Sequence, residues 1–433
     1  MNNYATKNDR AWSKLFDEHH ILDIIEANGF YNINSTEINR VREARLMAKF
    51  DQRKDLPKLF KDNNLSILPI SRGSYIIGQL ETYKTIEETN KYEHPIEYLT
   101  FPEHIESIDI ENISSEATAI NCAYVSGILS NFLNENVLSP TVSGRMSSDS
   151  FSFNINRLKP QSPVNIKVQN AQIEIDGGYE GENSLALIEA KMSLAQDFMI
   201  RQIYYPFRLW ANKIEKNVKP IFMSYSNNVF YLSEYHFEEP NNYNSLILKK
   251  YKRYSLEDKD ITLDDILNTL KTVTTIEESD NIPFPQADSF ERIINLCERL
   301  KGDIKLHKNQ ITNIYGFTDR QTDYYTNALL YLDLACKIKQ DGLTFFLLSK
   351  KGKAILNLNY KQRQLKLAKT ILEHSVFKEV CKLYITRSEL PSKPKVVSIM
   401  KSSNLYKIGT EDTYKRRAST ILGWLNWILD LQT

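Results

Sequence analysis

The spacing of apolar and polar residues changes character several times along the chain. WSKLFDEHHILDIIEANGF and STEINRVREARLMAKFD repeat apolar residues three and four apart, which predicts two helices, the second capped by Ser35 or Thr36. LSILPISRGSYIIGQL then reads as short strands around a glycine turn. SSEATAINCAYVSGILSNFLNE predicts a further helix, and a polar, serine-rich, basic run follows it, SGRMSSDSFSFNINRLKPQSP. Next come two strand-like runs at 173–176 and 185–191, an amphipathic stretch, LAQDFMIRQIYYPFRLWANKI, and two more strands, KPIFMSYS and NVFYLSEYHF. Beyond a charged segment and the two prolines of NIPFPQADSF lie a short helix, a turn at Gly316, a longer helix from Thr318 and a hairpin near Gly342. That is the order of a winged helix-turn-helix. The final helix, EDTYKRRASTILGWLNWIL, carries Trp424 and Trp427 as core residues.

These patterns divide the chain into five regions. Residues 1–100 form a helical, winged-helix-like region and 101–240 an α/β region with a mixed sheet. Residues 241–282 are a connector, 283–360 a winged-helix-like region, and 361–433 a helical region with a second winged helix as an option. The length, 433 residues, is too great for one ordinary core and agrees with several domains. Cysteines 122, 297, 336 and 381 form no CxxC pair, which argues against a zinc site or a disulfide framework and fits a reducing cytoplasm. The chain has no apolar run of about eighteen residues and no apolar signal-peptide core near Met1, so neither a membrane span nor export is expected. A net charge of +1 means that any nucleic-acid binding rests on local patches.

The richest chemistry lies in IEIDGGYEGENSLALIEAK, residues 173–191. Asp176 closes the first strand-like run, and Glu189 and Lys191 close the second. Side chains alternate along a strand, so Glu189 and Lys191 share a face and Ala190 points away. Gly177 and Gly178 read as the place where the chain turns off sharply after Asp176. Glu174, Glu180 and Glu182 are rival acids, the first two residues further from the strand end and the others in the turn. Two acids and a cation around one point suit metal-assisted phosphodiester hydrolysis, because Mg²⁺ takes oxygen ligands and needs only a few carboxylates.

The pattern Asp176-x12-Glu189-Ala190-Lys191 resembles the PD-(D/E)xK motif of the nuclease superfamily that includes many type II restriction endonucleases, with Ile175 in place of the usual proline. The resemblance covers roughly 101–240 and implies a restriction-endonuclease-like α/β (α+β) core. It implies Mg²⁺ held by Asp176, Glu189 and the Ala190 carbonyl, with Lys191 orienting or activating the water and a 5′-phosphate product. It further points to Gln202, one turn from Tyr205 on the following helix, and to Glu116 on the preceding helix as another acid.

DNA contacts are expected from several basic stretches. Arg42 and Arg45 lie on the second N-terminal helix, with Arg72 in SRGSY. Arg145, Ser147, Ser148, Arg157, Lys159 and Lys167 occupy the polar run before the motif. Arg320 and Gln321 open the longer helix of the winged-helix candidate. Residues 350–369 hold seven lysines or arginines, beginning with Lys350 and Lys351, and no acid, which suits a wing tracking phosphates. Lys415 and Arg416 open the last helix. No GxxxxGK[ST] phosphate loop and no methyltransferase motif occurs. The expectation is therefore a stand-alone, cytoplasmic prokaryotic type II restriction enzyme, acting on double-stranded DNA as a homodimer. Such an enzyme implies a cognate DNA methyltransferase as its genetic partner. Two alternatives stay open: a structure-selective repair or recombination nuclease, and a winged-helix DNA-binding regulator with an inactive nuclease core.

Overall fold

A computed structural model describes residues 6–86, 94–110, 113–158, 162–256, 261–302, 304–387, 389–403, 405–406 and 408–432. Lys159 lies outside them. The N-terminal region opens with α1 (Lys7–His19), whose Thr6 cap and Asp9 exchange hydrogen bonds in a capping box, and α2 (Ile21–Asn28). β1 (Phe30–Asn34) leads into α3 (Ser35–Asn39) and α4 (Ala44–Ala48). The single helix expected here is thus two short ones, and its cap is Asn34, bonded to Glu37. A 3-10 turn (Arg53–Asp55), α5 (Lys58–Asp62), β2 (Ser66–Pro69) and β3 (Ser74–Gly78) complete the region, with its sheet in the order β1-β3-β2.

β4 (Tyr83–Thr85) and β5 (Ile96–Tyr98) precede α6 (Glu116–Val125) and α7 (Ile128–Leu133), where Gly127, at φ +78°, breaks the predicted single helix in two. Much of the polar run is strand. β6 (Ser139–Ser147) joins the main sheet, and β7 (Ser150–Ile155) pairs with β8 (Val164–Gln169) as a ribbon. β9 (Gln172–Glu180), β10 (Ser184–Lys191), β11 (Asp197–Met199), α8 (Arg201–Ala211), β12 (Asn217–Ser226), β13 (Val229–Phe237) and β14 (Leu246–Ser255) follow. They build a seven-stranded mixed sheet in the order β5-β14-β13-β12-β10-β9-β6, in which β10–β12 and β14–β5 are parallel. The expected connector from 241 is corrected accordingly, since β14 is an integral strand and β5 adds a strand from the region assigned to the N-terminal domain.

The alternation of β10 sorts its side chains cleanly. Leu185 and Leu187 enter the core shared with α8 and the N-terminal region. Ala186, Ile188 and Ala190 enter the core against α6 and α7. Both faces of the strand are thus covered, as expected for a nearly unbroken apolar run.

α9 (Leu263–Thr272) and α10 (Phe290–Arg299) lead to β15 (Leu306–His307), α11 (Lys308–Tyr315), α12 (Asp319–Tyr331), β16 (Ala335–Gln340) and β17 (Leu343–Leu348), with sheet order β15-β17-β16. Gly316, at φ +60°, ends α11, and Thr318 caps α12. Helices α13 (Lys350–Leu356), α14 (Tyr360–Leu372), α15 (Ser375–Arg387), α16 (Lys393–Lys401) and α17 (Glu411–Leu429) finish the chain. Trp424 is fully buried here, donates to the Ala287 carbonyl at 2.7 Å and stacks on Phe377. Lys54 ties the N-terminal region to this one by donating to the Ile314 carbonyl. Among the described residues, no helix is long and apolar enough to cross a membrane.

Candidate active site

The site forms where two strands part. β9 and β10 pair from Leu185↔Glu180 to Ile188↔Gly177 and no further, whereas β10 stays paired with β12 as far as Lys191↔Ser224. Beyond the last rung, Asp176 Oδ2 accepts the Ala190 N–H at 2.9 Å, so a side chain replaces the backbone ladder. Asp176 therefore lies within its strand at a fork. Gly177 and Gly178 continue the strand and do not turn it away. A Cβ on Gly178 would lie 2.6 Å from Val142 Cβ, so close approach of β6 is what glycine permits there.

The fork opens into a cleft of about 310 Å³. Asp176, Glu189 and Lys191 line it, together with Gln202 from α8 and Glu116 from the first turn of α6. Glu189 and Gln202 are each only 8% exposed. Glu189 Oε1 accepts from Lys191 Nζ at 2.6 Å and from Gln202 Nε2 at 2.5 Å. Pro206, inside α8, also lines the cleft and leaves the Gln202 carbonyl without its intrahelical donor. Tyr205 does not join them. It is buried among aromatic rings and donates to the Pro69 carbonyl at 3.0 Å.

Charge is concentrated here among largely buried groups. Burial, opposed by Lys191 and reinforced by Asp176, pushes the Glu189 carboxyl up to about 7. Burial also raises Glu116, against the pull of Lys191 and with Asp176 and Asp51 adding to the rise. Burial alone would lower the Lys191 ammonium, but Glu189 and Asp51 outweigh it and hold it above its ordinary value.

The N-terminal region supplies the opposite wall through Arg45, Lys49, Asp51, Ser71, Arg72 and Tyr75. Among the expected contacts, Arg45 and the Arg72 of SRGSY lie here. Asp51 and Arg201 were missed. Asp51 Oδ2 lies 3.8 Å from Lys191 Nζ, and nothing in the spacing of the chain relates the two residues. Arg201 directly precedes Gln202, and its position one residue from a predicted site residue was the available signal. Asp51 Oδ1, Gln202 Oε1 and Arg201 Nε are buried and have no hydrogen-bond partner.

Several other predicted contacts are bonded within the chain or lie apart from the cleft. Arg145 pairs with Glu174 at 3.2 Å, beside the cleft, and Glu180 pairs with Lys216 at 2.7 Å, so neither rival acid is free. Ser147 donates to Asn170 at 3.3 Å, while Ser148 is buried and bonded to Asp149 and Ala171. Arg157 is spent on Ser162. Arg42 is half-buried and does not line the cleft. Gln321 is exposed and its Oε1 is the reciprocal partner of the Thr318 cap, and Arg320 is exposed against Tyr324. Lys350 and Lys351 sit on α13, not on a wing, and Lys351 pairs with Glu373 at 2.8 Å. Lys415 and Arg416 are exposed on α17, away from the cleft.

Three family models match the chain, each described as a domain of unknown function: DUF6996 over residues 9–77, DUF6997 over 78–255 and DUF7226 over 292–433. No curated protein and no solved structure matches. The cleft straddles the first two matched regions, since Asp51 and Arg72 come from one and Asp176, Glu189 and Lys191 from the other. A second cavity, of about 1000 Å³ where β12–β14 meet α10 and α17, holds none of the predicted site residues.

Among the described residues, no group of three or more His, Cys, Asp and Glu side chains is gathered as a preformed metal cage. Asp176 and Glu189 offer hard carboxylate oxygens at the fork, and the unpartnered Gln202 Oε1 adds a buried acceptor lining the cleft. That donor set fits Mg²⁺, which is commonly held by one or two carboxylates with waters and substrate phosphate filling its shell.

Proposed function

We propose that the chain is a Mg²⁺-dependent endonuclease that cuts double-stranded DNA at specific sequences, of the type II restriction kind. The observation that carries this reading is the fork between β9 and β10, where Asp176, Glu189, Lys191 and Gln202 meet in one cleft. The succession α6, β9–β10, α8, β12 supports a restriction-endonuclease-like core of the PD-(D/E)xK type. The helix–strand–helix–helix–strand–strand succession from α10 to β17, with sheet order β15-β17-β16, supports a winged-helix-like module beside it.

In this reading Asp176 and Glu189 hold the ion, with the Ala190 carbonyl and Glu116 as further oxygen donors. When bound, Mg²⁺ polarises the phosphodiester and neutralises charge on the leaving oxygen. Gln202 fixes the Glu189 carboxylate through its Nε2 hydrogen bond. Lys191 Nζ orients the attacking water. Arg72 and Arg201 face the cleft as phosphate partners, for which a guanidinium is well shaped. Cutting both strands calls for two such sites, hence a homodimer on the duplex, and a cognate methyltransferase would protect host DNA.

Phage DNA incubated with the protein, with Mg²⁺ and with EDTA, tests the reading. Discrete bands with Mg²⁺ alone are expected. A smear would mean a non-specific or structure-selective nuclease, and retained binding without cutting would remove the enzyme. Asp176→Ala, Glu189→Ala and Lys191→Ala should each abolish cutting with the circular dichroism spectrum preserved. Normal cutting by Lys191→Ala would rule out this active site.

A further inference from the structure

Glu189 Oε1 carries two donors, Lys191 Nζ at 2.6 Å and Gln202 Nε2 at 2.5 Å. An ammonium and a divalent cation repel when both press on one carboxylate oxygen. A divalent cation on that oxygen therefore competes with Lys191, and a lysine displaced within a largely buried cleft needs another anion. Asp51 stands ready for it. Its Oδ2 lies 3.8 Å from Lys191 Nζ, and its Oδ1 is buried without a partner.

The position of Asp51 is fixed by backbone rather than chance. Its carbonyl accepts the Met199 N–H at 2.8 Å, and the Arg53 N–H donates to Asp197 Oδ1 at 3.1 Å, so the segment is pinned to β11. Its other cation, Lys49 at 4.0 Å, is more exposed than Lys191.

We propose that Asp51 is a positioning residue that receives the Lys191 ammonium when Glu189 turns to a divalent cation, so that the N-terminal region completes the cutting site. This rests on the function proposed above. The two-partner arrangement lets Lys191 stay charged and placed for the water while its first partner is occupied.

Mn²⁺ binding to the full chain without DNA, followed by titration calorimetry, tests the role apart from turnover. Asp51→Asn should weaken Mn²⁺ binding about tenfold, within the range for a residue that orients a metal site without touching the metal. Asp51→Glu should restore most of it. Lys191→Ala should bind Mn²⁺ more tightly than the parent, and adding Asp51→Asn to Lys191→Ala should change affinity by less than about twofold, the error of simple additivity. A full loss persisting in the Lys191→Ala background, or no loss in the parent, overturns the proposal. A parent protein that binds no Mn²⁺ removes the proposed function itself, which is a different result from an intact site indifferent to Asp51.

Discussion

Replacing Gly178 by alanine tests the geometry that opens the fork. The added methyl would stand 2.6 Å from Val142 Cβ and 2.9 Å from the Val142 carbonyl oxygen, against an optimal separation of about 3.5–4.0 Å between carbon atoms. One of these neighbours is backbone, so rotamer change cannot relieve the contact and β6 has to retreat by about 1 Å. Such overpacking costs about 1–3 kcal/mol, and weakening the ladder at Val142↔Gly178 adds about 1 kcal/mol for each hydrogen bond lost. The lower entropy of an unfolded alanine returns about 0.4–1 kcal/mol. The net expectation is a loss of about 2–3 kcal/mol, which lowers a urea midpoint by about 1 M at an m-value of about 2–3 kcal/mol/M. The assay is urea unfolding followed by far-UV circular dichroism, alongside DNA cutting by the folded fraction. Because Gly178 lies two residues from Asp176, cutting should fall as well. A midpoint equal to or above the parent's would refute the close-packing argument.

Gly144→Ala serves as the contrast: its φ is +84° with nothing within 4 Å of a new Cβ, so only the left-handed backbone is penalised, by about 1 kcal/mol in the same unfolding assay. Arg201→Ala should weaken DNA binding in Ca²⁺, measured by fluorescence anisotropy, and reduce the slope of log affinity against log salt by about 0.9, one phosphate contact. An unchanged slope would remove Arg201 from the phosphate path. Trp424→Ala deletes a fully buried ring and its bond to Ala287, and should cost the C-terminal helical core about 3–5 kcal/mol. Calorimetry should show that core melting earlier, and an unmoved transition would contradict its placement.

How much of this was legible in the sequence depends on how local the cause is. The alternation of Glu189, Ala190 and Lys191, the apolar length of β10, the capped start of α12 and the turn at Gly316 are local properties, and periodicity and capping expose them. β7 was legible in principle, because SFSFNI buries Phe151, Phe153 and Ile155 in strict alternation, but its serines obscured the signal. β14 reads as a charged segment because Lys250 and Lys252 occupy half-buried positions and Lys249 an exposed one on a sheet strand. The fork at Asp176 depends on where two ladders stop, which no single strand encodes. Asp51 reaches the cleft through docking against β11, a contact made across more than a hundred residues, and composition leaves no trace of it. The expected DNA contacts show a related effect: Arg157, Lys351 and Gln321 have suitable chemistry for DNA, and their bonds within the chain leave no local trace in the sequence.

One of the two edge strands of the main sheet has a further consequence. β6 shifts register at two places, carries Pro140 without an N–H, and bends through the left-handed Gly144. Such a border offers no continuous row of donors and acceptors to a neighbouring chain. Strand addition is closed on that side, so a neighbouring chain would not extend the sheet past β6, and the cleft beside β9 stays bounded by its own subunit.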